Sequence, residues 1–243
     1  MIELPSSPTP VRIRRSADLH ATPWKNGGGV TRELAAFPPH SNFADFIWRV
    51  SVADVHADGA FSTFPGIDRQ IALLDGAGLT LRFDDRADGH PDERAHERTH
   101  ERGGERTGEH AGVYTNAYAS EHAHERREQA LVEIGVPFAF PGEAQVHAKL
   151  TDGPTRDFNL MVRRDDASGS VTTCRGTASQ WLPPDATLLY VVRGATALYA
   201  GGEMHILNTG DSAQLTEPGP YLRCIGQQDD ALVLLVRIQL KYE

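Results

Sequence analysis

Two arginines and a handful of polar residues are the side chains in this sequence best suited to chemistry. Arg69 follows the turn-rich stretch Phe61-Ser62-Thr63-Phe64-Pro65-Gly66-Ile67-Asp68 and leads into a strand-like run. A guanidinium is planar and donates two parallel hydrogen bonds, so it fits a carboxylate. Arg69 therefore reads either as half of an ion pair within the protein or as the anchor of an acidic ligand. Arg49, in Trp48-Arg49-Val50-Ser51, offers the same group, with Glu33 as its expected partner across the fold. Asn26 and Thr31 flank the triplet Gly27-Gly28-Gly29 and can orient a polar ligand by hydrogen bonds. Trp48, Phe61 and Phe64 serve either as core or as walls of a slot, since small-molecule sites are mostly apolar with a few placed polar groups. Asn159 stands in a strand-like run, where asparagine is unusual, and is assigned a hydrogen-bonding role, structural or ligand-directed. Were the protein an enzyme, Glu33 and His56 are the pair that could move a proton. No serine stands with a histidine and a carboxylate in a recognisable nucleophilic arrangement.

These side chains need strands to hold them. The run Phe43 to Val55 is rich in β-formers, and within it Trp48, Val50 and Val52 share one face while Arg49, Ser51 and Ala53 share the other. The second face suits a pocket lining or a solvent face equally well. Gln70–Leu74, the turn Asp75-Gly76-Ala77-Gly78 and Leu79–Phe83 form a hairpin. Val11–Arg15, Thr31–Phe37, Leu131–Ile134, Gln145–Leu150 and Thr155–Arg164 are further strands, and Pro137–Glu143 reads as a turn with aromatic anchors. Later strands cover Val171–Thr173, Gln180–Leu182, Thr187–Val192, Thr196–Tyr199, Ala213–Leu215, Tyr221–Ile225 and Leu232–Gln239. The Gly27–Gly29 triplet feeds one of these strands, as a plain tight turn or as a turn that presents side chains to a ligand. Short strands with frequent turn signals predict an all-β sandwich or barrel. A weak repeat, Ile71-Ala72-Leu73-Leu74-Asp75-Gly76 against Leu188-Leu189-Tyr190-Val191-Val192-Arg193-Gly194, suggests two stacked barrels.

Composition narrows the function. The chain has 243 residues, 40% hydrophobic, with a formal net charge of −9. That balance argues against a nucleic-acid partner, which needs a basic face. No run approaches a membrane span and Met1–Pro10 holds no apolar leader, so neither a signal peptide nor a membrane partner is expected. Cys174 and Cys224 match no zinc or redox spacing and are expected to be the reduced cysteines of a cytoplasmic protein. Between residues 85 and 129 the composition turns to His, Glu and Arg, typified by His96-Glu97-Arg98-Thr99-His100-Glu101-Arg102. That stretch is too polar to bury much surface and reads as an insertion between two strands.

Three stretches in order resemble one family: Trp24–Glu33, the pair Trp48–Ser51 with Phe61–Arg69, and Asp157-Phe158-Asn159-Leu160-Met161. They resemble the HutD/Ves family over about residues 10–83 and 130–243. The resemblance implies an all-β bicupin fold, with a first cupin barrel in residues 1–165 and a second in 166–243. It also implies a link to histidine utilisation, in which a family member governs the pathway by sensing a small molecule, with urocanate or formylglutamate as candidate ligands. On that view Arg69 holds the ligand's carboxylate, helped by Asn26, Thr31, Glu33, Arg49 and Asn159 and walled by Trp48, Phe61 and Phe64. The alternative is a metal-independent enzyme acting on a related acid. Cupins often pair through exposed edges, which leaves a homodimer open. Metal-dependent cupins need His-x-His, a glutamate and a third histidine, whereas His56 and His205 stand alone here. No metal and no cofactor is expected; His122-Ala123-His124 lies in the charged stretch and reads as a solvated tract.

Overall fold

The computed structural model describes residues 11–84, 127–215 and 222–241. The charged stretch, read as an insertion between two strands, falls almost entirely outside them. The first half contains β1 (Val11–Arg14), β2 (Ala21–Pro23), β3 (Gly29–Phe37), β4 (Trp48–Val55), β5 (Gly59–Ala60), β6 (Ile67–Asp75), β7 (Leu79–Asp84), β8 (Arg127–Leu131), β9 (Pro137–Pro141), β10 (Gln145–Leu150) and β11 (Thr155–Arg163). The second holds β12 (Ala167–Arg175), β13 (Ser179–Trp181), β14 (Ala186–Arg193), β15 (Ala195–Ala200), β16 (Glu203–Asn208), β17 (Ser212–Leu215), β18 (Arg223–Gly226) and β19 (Leu232–Leu240).

In the first half a six-stranded sheet, β2-β3-β4-β11-β6-β9, faces a four-stranded sheet, β5-β10-β7-β8. In the second, β1-β17-β14-β19-β12 faces β13-β18-β15-β16. Each half is thus a two-sheet cupin jelly roll, and the whole is an all-β bicupin. One strand crosses between halves: β1 pairs with β17, Val11 opposite Leu215. Several stretches depart from the local reading. The turn Asp75–Gly78 closes no hairpin: β6 pairs with β11 and β9 in the six-stranded sheet, while β7 pairs with β10 and β8 in the four-stranded one, so the turn crosses between sheets. Pro137–Pro141 is a strand on the edge of the six-stranded sheet rather than a turn, an edge being where proline's missing N–H does least harm. Strand β8 runs from Arg127 to Leu131, pairs with β7 and ends where Leu131–Ile134 was expected to begin.

The six-stranded sheet is buried on both faces. Outward, Val50, Val52, Phe158, Leu160, Ala72 and Leu74 pack on Leu188, Tyr190, Leu232, Leu234 and Val236 of the second half. Gln70 pins this contact, its amide donating to Gly169 O at 2.8 Å and accepting from Val171 N at 2.9 Å. Inward, Ile71, Leu73, Leu79, Leu81, Phe83, Phe140, Val146 and Ala148 form the core of the first jelly roll. The second jelly roll is filled by Leu189, Val191, Leu198, Leu207, Ala213, Val233 and Leu235. Cys224 is buried there and Cys174 packs beside it; both are free thiols.

Candidate functional site

Strand pairing gathers most of the sequence-singled polar residues onto one surface, the inner face of the six-stranded sheet. Three adjacent rows cross it. Thr31 lies opposite Ala53, which faces Asp157 and then Leu73. Glu33 lies opposite Ser51, which faces Asn159 and then Ile71. Arg49 faces Met161, then Arg69, then Phe140. Register partners point to the same side of a sheet, so Thr31, Glu33, Arg49, Arg69, Asn159 and Asp157 converge on one interior.

The glycine triplet forms the hairpin that starts β3. Trp24 N–H donates to Gly29 O at 2.9 Å, and Gly27 N–H donates to Trp24 O at 3.1 Å. Asn26 Oδ1 accepts from Gly28 N–H at 3.0 Å, an Asx turn. Gly29 is required by contact: a Cβ there would stand 2.4 Å from Asp54 O and 3.1 Å from the Trp24 ring. Trp24 therefore lies flat on Gly29, and its indole N–H donates to Thr31 Oγ1 at 2.8 Å. The triplet is a tight turn that also shapes a rim. Beside it Trp24, Asn26, Gly28 and Phe61 line a cavity of about 20 Å³, the size of one water.

Arg49 pairs with Glu33 at 2.9 Å and lies over the Phe43 ring, 4.7 Å from its centroid. Phe43 in turn stacks on Phe64 at 5.6 Å. Arg69 is different. It is 6% exposed and caged by Phe61, Phe64 and Phe140, with its guanidinium carbon 5.3, 5.6 and 4.9 Å from the three ring centroids. Its Nη1 donates a long 3.4 Å bond to Ser62 O, and its Nε finds no partner among the described residues. No described carboxylate forms an ion pair with it, and burial pushes it down to about 10, still cationic at neutral pH. The rings supply cation–π attraction but no hydrogen-bond acceptor in the guanidinium plane.

Two further polar atoms on this face lack partners. Asn159 Oδ1 and Asp157 Oδ1 are buried and unbonded among the described residues. Asp157 is 1% exposed; its other oxygen accepts from Thr155 Oγ1 at 3.3 Å, and burial pushes its carboxyl up to about 7. Sequence reading singled out Asn159 and passed over Asp157. The signal was available, since residues two apart on a strand share a face.

Other expected residues lie elsewhere. Trp48 is not a wall of this interior: it points to the opposite face, 5% exposed in the core between the halves and stacked on Phe37 at 6.2 Å. The even-numbered alternation of β4 sends it there with Val50 and Val52. His56 is exposed and Glu33 is engaged by Arg49, so the acid–base pair of the enzymatic alternative does not converge. Among the described residues no three His, Cys, Asp or Glu side chains converge as metal ligands; His205 meets only Glu203, at 3.6 Å. No described helix is long and apolar enough to cross a membrane.

Comparison with known proteins places this chain in a family. The HutD family model matches residues 16–108 and 121–234, spanning both jelly rolls. The chain belongs to the HutD family. It is 32% identical to Protein Ves of Cronobacter sakazakii (strain ATCC BAA-894) over 176 residues, 72% of each chain. It is 28% identical to an uncharacterized 21.2 kDa protein in the hutC 3′ region of Pseudomonas putida, over 84% of this chain and 86% of that one. Among solved structures it resembles HutD from Pseudomonas fluorescens SBW25, with a TM-score of 0.68 and 24% identity over 96% of this chain and all of that one. In this HutD-family chain the matched regions contain every residue of the three inner-face rows.

Proposed function

We propose that this protein is a non-enzymatic binder of a small carboxylate, linked to histidine utilisation as a sensor, with urocanate and formylglutamate as the candidate acids. The observation that carries the reading is Arg69, a buried guanidinium with an unpartnered Nε and no carboxylate paired to it among the described residues. Desolvating an unpaired charge costs several kcal/mol, so a fold retains one at a net loss unless something compensates it. A ligand carboxylate supplies the missing acceptors in the bidentate geometry a guanidinium favours. Phe61, Phe64 and Phe140 exclude water and strengthen that contact. The segment between β5 and β6, Phe61–Gly66, lies against the guanidinium and is held by two backbone bonds, Phe61 N–H to Val146 O at 2.8 Å and Phe64 N–H to Gly142 O at 2.7 Å, so a ligand that enters from this side must displace those contacts.

Calorimetry with urocanate and with formylglutamate tests this on the wild type and on Arg69→Met, which keeps the volume and removes the charge. The expected result is a loss of affinity on the order of 100-fold or more, since removing one partner of a buried charge pair costs about 2–5 kcal/mol. The melting temperature of the free protein is expected to hold or rise. A variant that binds as before and melts much lower would make Arg69 a structural residue.

A further inference from the structure

We infer that Asp157 is the second recognition point of this site, selecting acids that carry an N–H donor at the end opposite their carboxylate. The inference rests on the carboxylate reading of Arg69 and adds what the rest of the ligand must be. Strand β11 presents Asp157, Asn159 and Met161 to the interior, and Met161 lies opposite Arg69. Asp157 is therefore four residues from the Arg69 row, about 13 Å along the strand at ~3.3 Å per residue, with Asn159 midway. The Arg69 guanidinium lies against Phe61, which also lines the cavity beside the glycine hairpin.

The unpartnered atoms have a direction. Arg69 Nε is a donor at one end, while Asn159 Oδ1 and Asp157 Oδ1 are acceptors towards the other. A guanidinium has no acceptor and an ionised carboxylate has no donor, so Arg69 calls for an acceptor and ionised Asp157 for a donor. An amide can present either of its atoms by turning over, which leaves Asp157 as the group that discriminates. A linear dicarboxylate with no N–H would set its far carboxylate against ionised Asp157, and like charges in a buried site repel; formylglutamate, although a dicarboxylate, also carries an amide N–H. An acid with a ring or amide N–H at its far end satisfies both ends at once.

The surroundings of Asp157 sharpen the selection. Its neighbours across the sheet are Ala53 and Leu73, neither of which donates a side-chain hydrogen bond, and its one side-chain hydrogen bond among the described residues comes from the Thr155 hydroxyl. Burial holds the carboxyl near neutrality, so an arriving N–H donor has only a modest protonation equilibrium to shift. Because Asp157 can protonate when no donor arrives, the penalty for a ligand lacking the N–H is limited. The expected discrimination is about 10- to 100-fold, below the 10⁴ or more of a site whose unpaired group has no such escape.

The test compares two acids of similar shape, urocanate with its ring N–H and 3-(2-furyl)acrylate with a ring oxygen instead. Calorimetry on the wild type should show urocanate bound at least about tenfold more tightly. Asp157→Leu, and Asp157→Ala should the larger side chain not fit, should bring the two acids to equal affinity while furylacrylate binding changes less than about threefold. Melting curves on each variant establish that it is folded. If the wild type binds both acids equally, or a folded Asp157 variant keeps the preference, the inference fails. Loss of furylacrylate binding in Arg69→Met would then still support the carboxylate reading. If the wild type binds neither acid, both readings fall together.

Discussion

The two jelly rolls share an architecture and use their interiors in opposite ways. In the second, the inner face is largely a leucine and valine core: Leu189, Val191, Leu198, Leu207, Val233 and Leu235 fill it, all at most 5% exposed, with the neutral hydroxyl of Thr196 buried and unpartnered among the described residues. In the first, part of the corresponding space is given to Arg69, Asp157 and Asn159, each with a polar atom unpartnered among the described residues. Each such atom costs roughly 1–3 kcal/mol against a well-packed apolar replacement. The contact between halves, where Phe158 and Leu160 meet Tyr190 and Leu234, lets one half carry that cost while the other supplies stability. One interior reads as a core and the other as a site, although the same strand pattern builds both.

That contrast can be broken from either side. The largest expected effect lies in the second half. Leu198→Ala should lower unfolding free energy by about 2–5 kcal/mol in urea melts and leave urocanate affinity unchanged. A parallel fall in affinity would show that the halves do not divide the work.

In the first half, Asp157→Asn should change stability with pH. Unfolded, the carboxyl titrates near its ordinary 3.8; folded, near 7. Between those values the folded protein holds more proton than the unfolded one, so stability is lost as pH rises through that window and the loss is complete above about 7. The variant, which cannot titrate there, should gain on the wild type by about 2–3 kcal/mol between pH 5 and pH 8. A gap that stays flat would mean that Asp157 ionises normally.

Gly29→Ala tests the rim. Its methyl would meet a backbone oxygen of β4 at 2.4 Å, which cannot step aside, so a loss of about 1–3 kcal/mol is expected in thermal melts. An unchanged melting point would mean that Trp24 and β4 yield more easily than the packing suggests. The smallest effect is expected at Glu33→Gln. Its ion pair with Arg49 is partly open to solvent, and the change should cost less than about 1 kcal/mol and shrink in high salt. A larger loss of ligand affinity than of stability would move Glu33 from the rim into the binding contacts.

Much of this architecture was legible in local sequence. The span Gln145–Leu150 is legible as the strand that forms, and the turn at Asp75–Gly78 is legible from its glycines, although it carries the chain from one sheet to the other instead of closing a hairpin. The all-β class followed from strand-length runs separated by turn signals, and the three motifs carried the family. Errors arose where partners decided. Pro137–Pro141 became a strand because β6 lies beside it, and β1 found its partner some 200 residues away in β17, which no local pattern announces.

The site divides in the same way. Alternation along β4 told which residues travel together, Trp48 with Val50 and Arg49 with Ser51, and alternation along β11 ties Asp157 to Asn159. It could not tell which set points into the jelly roll. A sheet with one wet face announces its inside by being apolar there. This sheet is covered on both faces, by the second half on one and by its own jelly roll on the other. The sequence by itself determined the strands, their two-residue period and the residues able to hold an acid. Only the tertiary structure decided that the apolar face docks the halves together, while the face bearing Arg69 and Asp157 closes around the interior. The physical reason is that burial on both sides breaks the link between polarity and exposure, so the more polar face is no longer the wet one.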